Sequence, residues 1–280
     1  MIASLTILTA ICIVVALHPY LTYPATLLIA RRIRPQHLLP KDPAPSTYAI
    51  VCCAHNEMSV IASKLDNMLA LQKKLGHCEI LIHSDGSDDG TAEYLKTFAG
   101  TVTISISKEC LGKSVGMKTL VSRTNAEIII FTDADVTIDV DSVTNVCQYF
   151  RDPDVGCVAG HLCWKNQSDS ATARLGALYW SFDEWLKQLE SESGSAVGAY
   201  GALFAIRRSL FEPPPAHIID DFHTSMSIYC SGKRVVRAPD FVAYGRAAST
   251  RKDEIGRKVR IACRSYNCHR LLWPRIKKLP

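Results

Sequence analysis

Residues 2–30 carry no formally charged side chain and are apolar along most of their length, enough for a helix to cross the roughly 30 Å hydrocarbon core of a bilayer. The pattern predicts a single transmembrane helix, a membrane anchor over 1–30. Arg31, Arg32 and Arg34 follow the run, whereas a cleaved signal peptide would carry its basic residues first. The positive-inside rule then places the remainder in the cytoplasm, as a single-pass protein of the cell inner or plasma membrane. Pro19 and Pro24 interrupt the run and leave a helix bent along the interface as the alternative. Prolines at 35, 40, 43 and 45 make 31–46 a stiff, basic linker.

Beyond it the hydrophobic period alternates. Residues 48–53 read as a short apolar strand, 59–75 as a helix, 79–84 as a strand, 91–98 as a helix, 102–107 as a strand, 115–123 as a helix and 127–131 as a buried strand. Strand and helix in turn predict an α/β domain over 47–280, with a mostly parallel sheet and helices on both faces. Ligands of such sheets bind beyond the carboxyl ends of the strands. Those ends read Ala54-His55-Asn56-Glu57, then Asp85-Gly86-Ser87-Asp88-Asp89-Gly90-Thr91, then Thr132-Asp133-Ala134-Asp135. Three acidic clusters carried by three parallel strands converge on one cleft.

Asp133 and Asp135, two residues apart as the chain leaves a strand, suit a hard divalent cation, Mn2+ or Mg2+, with coordination positions left for substrate phosphates. Taken alone, the same acids would serve equally as helix caps. The run from Asp85 to Gly90 imitates a calcium loop, but Lys96 stands where the twelfth-position glutamate is required. Gly112-Lys113-Ser114 lacks the earlier glycine of a phosphate-binding P-loop, since position 107 is Ser107, and no dinucleotide fingerprint is present.

Taken together, 54–57, 85–91, Gly112-Lys113 and 133–135 resemble the ordered signature of the inverting family 2 glycosyltransferases with the GT-A fold. Tyr179-Trp180, Glu184-Trp185-Leu186, Glu190-Ser191, the run 201–208 and Asp220-Asp221 are similar to the acceptor-side half of bacterial polysaccharide-synthase-like members. The resemblance implies a donor-binding half over 47–140, an acceptor and base half over 141–245 and a basic interfacial helix over 246–280. It implies that Ala54, His55 and Glu57, with Asp85, hold the nucleotide's base and ribose, that Lys113 approaches the nucleotide, and that Asp133 touches ribose or metal. Asp135 becomes the principal metal ligand and Asp221 the general base of a direct displacement. Tyr200, Gly201, Asp220, Arg257 and Arg260 face acceptor or diphosphate. Asp220 and Asp221 also suit the acidic first turn of a helix over 222–230, and His223 competes as base. Ile261 stands where processive synthases carry a tryptophan, and the chain stops at Pro280 where related chains continue into further membrane helices. The first departure weighs against processive synthesis, and the second marks a chain that is either truncated or unable by itself to build a polymer-conducting pore.

Composition narrows the partners. A net charge of +5, with basic residues gathered at the two ends, suits a membrane surface or phosphate ligands and disfavours nucleic acid. The 11 cysteines are odd in number and form no C-x-x-C pair, which points to a reducing compartment. The expected partners are a nucleotide-sugar donor, a saccharide or lipid-linked acceptor and membrane lipid, with polyprenyl phosphate as one acceptor variant. Two other classes remain: a catalytically silent partner of another membrane synthase, and a nucleotidyltransferase. The retained acids weigh against the first, and the acceptor-side run against the second.

Overall fold

The structure is a computed structural model that describes residues 2–33, 42–165, 171–246 and 251–279. In place of one helix over 1–30 there are two, α1 (Ile2–Leu17) and α2 (Thr22–Ile33), bent by 53° at the break between them. Pro19 sits in that break, where it removes a helical N–H and crowds the preceding turn. Among the described residues no single helix is long and apolar enough to cross a membrane, although the bent pair is by length and composition. The expected single transmembrane helix is thus corrected: α1 alone spans only about 24 Å at 1.5 Å per residue. The stretch 34–41 of the expected linker lies outside the described residues.

α2 lies against the long helix α7 (Ala171–Ser193). The Tyr23 hydroxyl donates to Glu190 Oε1 at 2.8 Å, Ser193 Oγ donates to the Leu27 carbonyl at 3.0 Å, and Arg31 pairs with Glu192 at 2.7 Å. These polar contacts make α2 part of the domain, which hydropathy alone does not reveal.

The half expected to bind the donor is built on β1 (Tyr48–Ala54), β2 (Cys78–Asp85), β3 (Thr103–Ser107) and β4 (Ile128–Asp133), ordered β3-β2-β1-β4 and all parallel. Period-two alternation divides the apolar side chains between two cores. Ile50, Cys52, Ile80, Ile82, Ile128 and Ile130 pack with Ile61, Leu65, Met68 and Leu71 of α3 (Ile61–Leu75). Ala49, Val51, Leu81, Ile129 and Phe131 pack on the other face with Met117, Leu120 and Val121 of α5 (Lys113–Val121). The short α4 (Thr91–Lys96) joins β2 to β3. Helix α5 begins two residues earlier than the apolar spacing suggests, which brings Lys113 into its first turn.

The second half extends the same sheet. β5 (Thr137–Ile138), α6 (Asn145–Tyr149), β6 (Val155–Trp164), β7 (Leu203–Arg207), α8 (Asp220–Cys230) and β8 (Arg234–Gly245) complete the order β3-β2-β1-β4-β7-β6-β8-β5. β7 runs antiparallel to β4, and Phe131 stacks on its register partner Phe204 with ring centroids 4.9 Å apart. Such a cross-strand aromatic pair contributes about 0.2–1 kcal/mol relative to a pair of alanines. Arg237 of β8 ties α7 to the sheet, reaching Glu184 in a buried ion pair that His161 of β6 also contacts. The basic C-terminal helix is α9 (Arg251–Ile276), since 247–250 lie outside the described residues; Cys268, Leu272 and Ile276 pack on α8, and Arg275 forks onto Glu212 at 2.6 and 3.0 Å.

Deleting residues 1–17 is expected to leave the urea midpoint of the remaining domain unchanged. Deleting through Ile33 strips the three contacts with α7 and lowers stability by roughly 1–3 kcal/mol, at about 1 kcal/mol for each hydrogen bond. Equal midpoints for the two truncations would show that α2 is not part of the fold.

Candidate active site

The order β3-β2-β1-β4 reverses direction at β1, so the loops after β1 and β4 part there and open a crevice at the carboxyl ends of both strands. Three of the predicted clusters line it. The β1 and β2 loops are laced together: Asn56 Oδ1 accepts the Asp88 N–H at 2.9 Å, Asp89 Oδ2 accepts the Met58 N–H at 2.9 Å, and Thr91 Oγ1 accepts the Glu57 N–H at 2.9 Å. His55 Nδ1 lies 2.7 Å from the Asp85 carbonyl. Asp89 is therefore a loop tie. Ala54 is buried in the core, which leaves its backbone, not its methyl group, at the crevice.

Asp85 is buried, and its carboxylate accepts the N–H groups of Leu111 and Gly112 at 2.7 and 2.8 Å. Gly86 follows with φ +64°, and a Cβ there would come within 2.4 Å of the Cys110 backbone nitrogen. Together they press the 109–112 loop against β2 and start α5 at Lys113. In this structure Asp85 thus fixes the lysine loop, in addition to any contact with a ligand.

Lys113 Nζ lies 2.7 Å from Asp133 Oδ1 and 3.0 Å from Asp220 Oδ2, so one ammonium joins the end of β4 to the start of α8. Burial opposes that charge, but Asp133, Asp220 and Asp221 outweigh it and hold the lysine well above its ordinary pKa. Asp221 accepts the Phe222 N–H at 2.6 Å; burial and then the Asp220 carboxylate push it up to about 7. The acid pair occupies the first turn of α8, where the helix dipole favours it, and also faces the crevice. Gly201 makes room for Asp221, because a Cβ at 201 would lie 2.8 Å from Asp221 Oδ2. Next to it, the Tyr200 hydroxyl donates to Asp183 and its ring sits 4.5 Å from that of Trp180.

Across the crevice, Asp135 is raised by partial desolvation and by Asp133, and Glu57 by partial burial followed by Asp135 and Asp133. This surplus of negative charge, with Asp135 exposed, is the setting in which a divalent cation shared with substrate phosphates fits. No group of three or more acid, histidine or cysteine side chains forms a complete metal cage among the described residues.

Three further candidates are not brought to the acid pair. Arg257 forks onto Glu254 of its own helix, with both contacts at 3.0 Å, and Arg260 is exposed; no hydrogen bond or ion pair joins either to the acids among the described residues. The early glutamate captures Arg257 because i and i+3 side chains are neighbours on a helix. His223 is buried, lowered by that burial, and its electrostatic neighbours are Glu212 and Arg275, so it turns away from the acid pair. Sequence reasoning also missed Lys64 and Asn67 of α3, which bond to the segment around Asp133 and Asp135. Their signal was visible: Lys64 falls on the apolar stripe of Ile61, Leu65 and Met68, where a surface lysine has no place.

Gly86→Ala is expected to lower thermal stability by at least about 1 kcal/mol, because the left-handed conformation disfavours a side chain and the new Cβ meets backbone. An unchanged melting temperature would show that the 109–112 loop yields freely.

The Glycosyl transferase family 2 model matches residues 49–213. An N-acetylglucosaminyltransferase of Rhizobium leguminosarum bv. viciae is 26% identical over 218 residues, covering 72% of this chain and 51% of the relative. A poly-beta-1,6-N-acetyl-D-glucosamine synthase of Staphylococcus aureus (strain COL) is 25% identical over 202 residues, covering 69% and 48%. The chain thus spans about half the length of these curated relatives. Among solved structures, the mannosyltransferase PcManGT of Pyrobaculum calidifontis, in complex with GDP-Man and Mn2+, is similar with a TM-score of 0.72 at 23% identity, covering 92% of this chain and 75% of that one. TarS 1-349 of S. aureus, in complex with UDP, is similar with a TM-score of 0.53 at 12% identity, covering 72% and 61%. The structural likenesses show a GT-A-like α/β fold, and with more than half of its length matched, the chain belongs to glycosyl transferase family 2.

Proposed function

We propose that this chain is an inverting glycosyltransferase that moves a sugar from a nucleotide-sugar donor, of the UDP-sugar class, to a hydroxyl of a membrane-proximal saccharide or lipid-linked acceptor. The observation that carries the reading is the Lys113 ammonium bound at once to Asp133 and Asp220, which unites donor-side and base-side acids in one crevice. The names of the curated relatives favour N-acetylglucosamine as the transferred sugar.

In this mechanism Asp221 takes the proton of the acceptor hydroxyl as its oxygen attacks the anomeric carbon. A carboxylate raised to about 7 is well matched to that task near neutral pH. The bond from the anomeric carbon to the phosphate oxygen breaks, the nucleoside diphosphate leaves, and the configuration inverts. Lys113 offers an ammonium to the departing phosphates. Asp133 and Asp135 would hold a divalent cation, whose chemistry is to neutralise charge on the diphosphate. Gly201 leaves Asp221 unobstructed, and Asp183 orients Tyr200 beside it.

A membrane-proximal acceptor is supported by the meeting of three helices near the Tyr200 side of the crevice. Tyr20, at the bend between α1 and α2, contacts Phe182 of α7, and Lys258 of α9 lies over the Tyr179 ring. Leu21, Leu178, Trp185, Ile255 and Val259 are exposed on these same elements. Apolar and aromatic side chains flanked by basic ones suit the headgroup region of an anionic bilayer. A location at the cytoplasmic face of the cell membrane is part of this proposal, and Arg31, Arg32 and Arg34, which follow the apolar run in the sequence, support it.

Nucleoside diphosphate release by the detergent-purified chain, measured against UDP-, GDP- and CDP-sugars with Mn2+, Mg2+ or chelator, tests the reading without a known acceptor. Metal-dependent release from one donor, lost in Asp135→Ala, is the expected result; no binding of any donor would refute the donor site. Asp221→Asn is expected to keep donor binding and lower transfer by about two to four orders of magnitude. Because the base acts deprotonated, kcat/KM should rise with pH through about 7. Removing the neighbouring charge in Asp220→Asn should move that midpoint downward, and an upward move would overturn the assignment. Sedimentation with anionic but not neutral vesicles is expected of the chain lacking residues 1–17, and its absence would remove α9 from the membrane-binding surface.

A further inference from the structure

α3 carries an ammonium where its packing calls for a hydrocarbon. Lys64 is 2% exposed, within the stripe of Ile61, Leu65, Met68 and Leu71 that packs on the sheet. Its Nζ donates to Thr132 Oγ1 at 2.8 Å and to the Val136 carbonyl at 2.6 Å, the two residues that bracket Asp133-Ala134-Asp135. One turn on, Asn67 donates through Nδ2 to the Ile138 carbonyl at 2.8 Å and accepts the Ile138 N–H through Oδ1 at 2.9 Å. Four side-chain hydrogen bonds from a single helix therefore hold the segment 132–138. Burying an ammonium costs several kcal/mol, and a well-packed apolar residue would serve the core at least as well. Both partners of Lys64 are neutral oxygens, so its placement makes sense only through the loop that it fastens and the carboxylates that loop carries. Lys113 meets Asp133 at the crevice, and Lys64 grips the same loop from the core.

We propose that Lys64 and Asn67 are positioning residues, which pin the segment 132–138 so that Asp133 and Asp135 are held in register for a cation shared with the donor's diphosphate. The inference rests on the cation-binding reading given above and extends it from the acids to the helix behind them. Both side chains are buried on the core side of the loop. What they supply is a loop already in its binding geometry, so that the cation need not order it. Partners that orient metal ligands from behind typically alter metal affinity by 10–100-fold.

Calorimetric binding of UDP and, in parallel, GDP to the full chain, each in Mn2+ and in chelator, separates this role from a general contribution to stability. Lys64→Met keeps the length and packing while removing both bonds and the charge. It is expected to reduce the Mn2+-dependent gain in nucleotide affinity by about 10-fold or more and to leave the affinity in chelator unchanged. Thr132→Val keeps every charge and the side-chain shape and removes the bond from Lys64 together with the hydroxyl's long 3.4 Å donation to the Asp133 carbonyl; it is expected to lower the same gain by about 3-fold. It also serves as the test if Lys64→Met fails to fold. An equal loss in Mn2+ and in chelator would overturn the proposal, because it would mark a structural defect. So would a larger Mn2+-dependent gain in Lys64→Met, since the ammonium would then act merely as a charge opposing the cation. Wild-type protein that binds nucleotide with no dependence on Mn2+ would refute the cation reading itself, and this inference with it. Variants indistinguishable from a Mn2+-dependent wild type would refute the inference alone.

Discussion

An ammonium within 3.0 Å of carboxylates from two distant parts of the chain is the contact on which the crevice depends. Asp133 ends the last parallel strand of the donor half, and Asp220 begins a helix almost ninety residues later. Without Lys113 between them these acids, with Asp221 beside them, would repel at short range in a partly desolvated site. Much of the surrounding structure serves to deliver that one side chain. Asp85 pulls the Leu111 and Gly112 amides inward, Gly86 permits the close approach, and α5 then begins at Lys113. The opposing wall is delivered as deliberately, by a β7 strand that runs back along β4 and leaves Gly201 against the Asp221 carboxylate.

The donor half was legible because each of its signals is local. Buried parallel strands are continuous apolar runs, and the candidate acids follow them directly, so 48–53, 79–84 and 127–131 could be placed from composition and period alone. Element limits moved by a few residues where tertiary contacts outweigh periodicity, as at Lys113. The second half was legible only as motifs. β6 and β8 pair over long stretches with register shifts, and nothing local announces that β7 will run antiparallel between β4 and β6. Side-chain pairing was the other blind spot. Sequence cannot show that Glu254 takes Arg257, that Asp85 spends its carboxylate on backbone amides, or that α2 meets α7 through Tyr23 and Glu190.

Polar groups on the second helical layer therefore carry more of the architecture than hydropathy suggests. Glu190 illustrates the economy: one oxygen accepts from Tyr23 of α2 and the other from the Val197 amide, at the start of the segment leading to Tyr200 and Gly201. Movement of the N-terminal helices would be felt three residues from the Tyr200 ring, which adjoins Gly201 and the Asp221 carboxylate. Such a connection ties the placement of α2 to the shape of the acceptor side without any direct contact between them.

Asn67 has a consequence of another kind. β5, two residues long, is the last strand of its sheet, and an unpaired strand edge is a template on which a second chain can add. By donating to the Ile138 carbonyl and accepting its N–H, the Asn67 amide imitates a neighbouring strand for one residue and leaves that residue with nothing to offer. The same side chain that steadies a loop thus also blocks this edge of the sheet against edge-to-edge pairing, a protection that comes into force once α3 has docked.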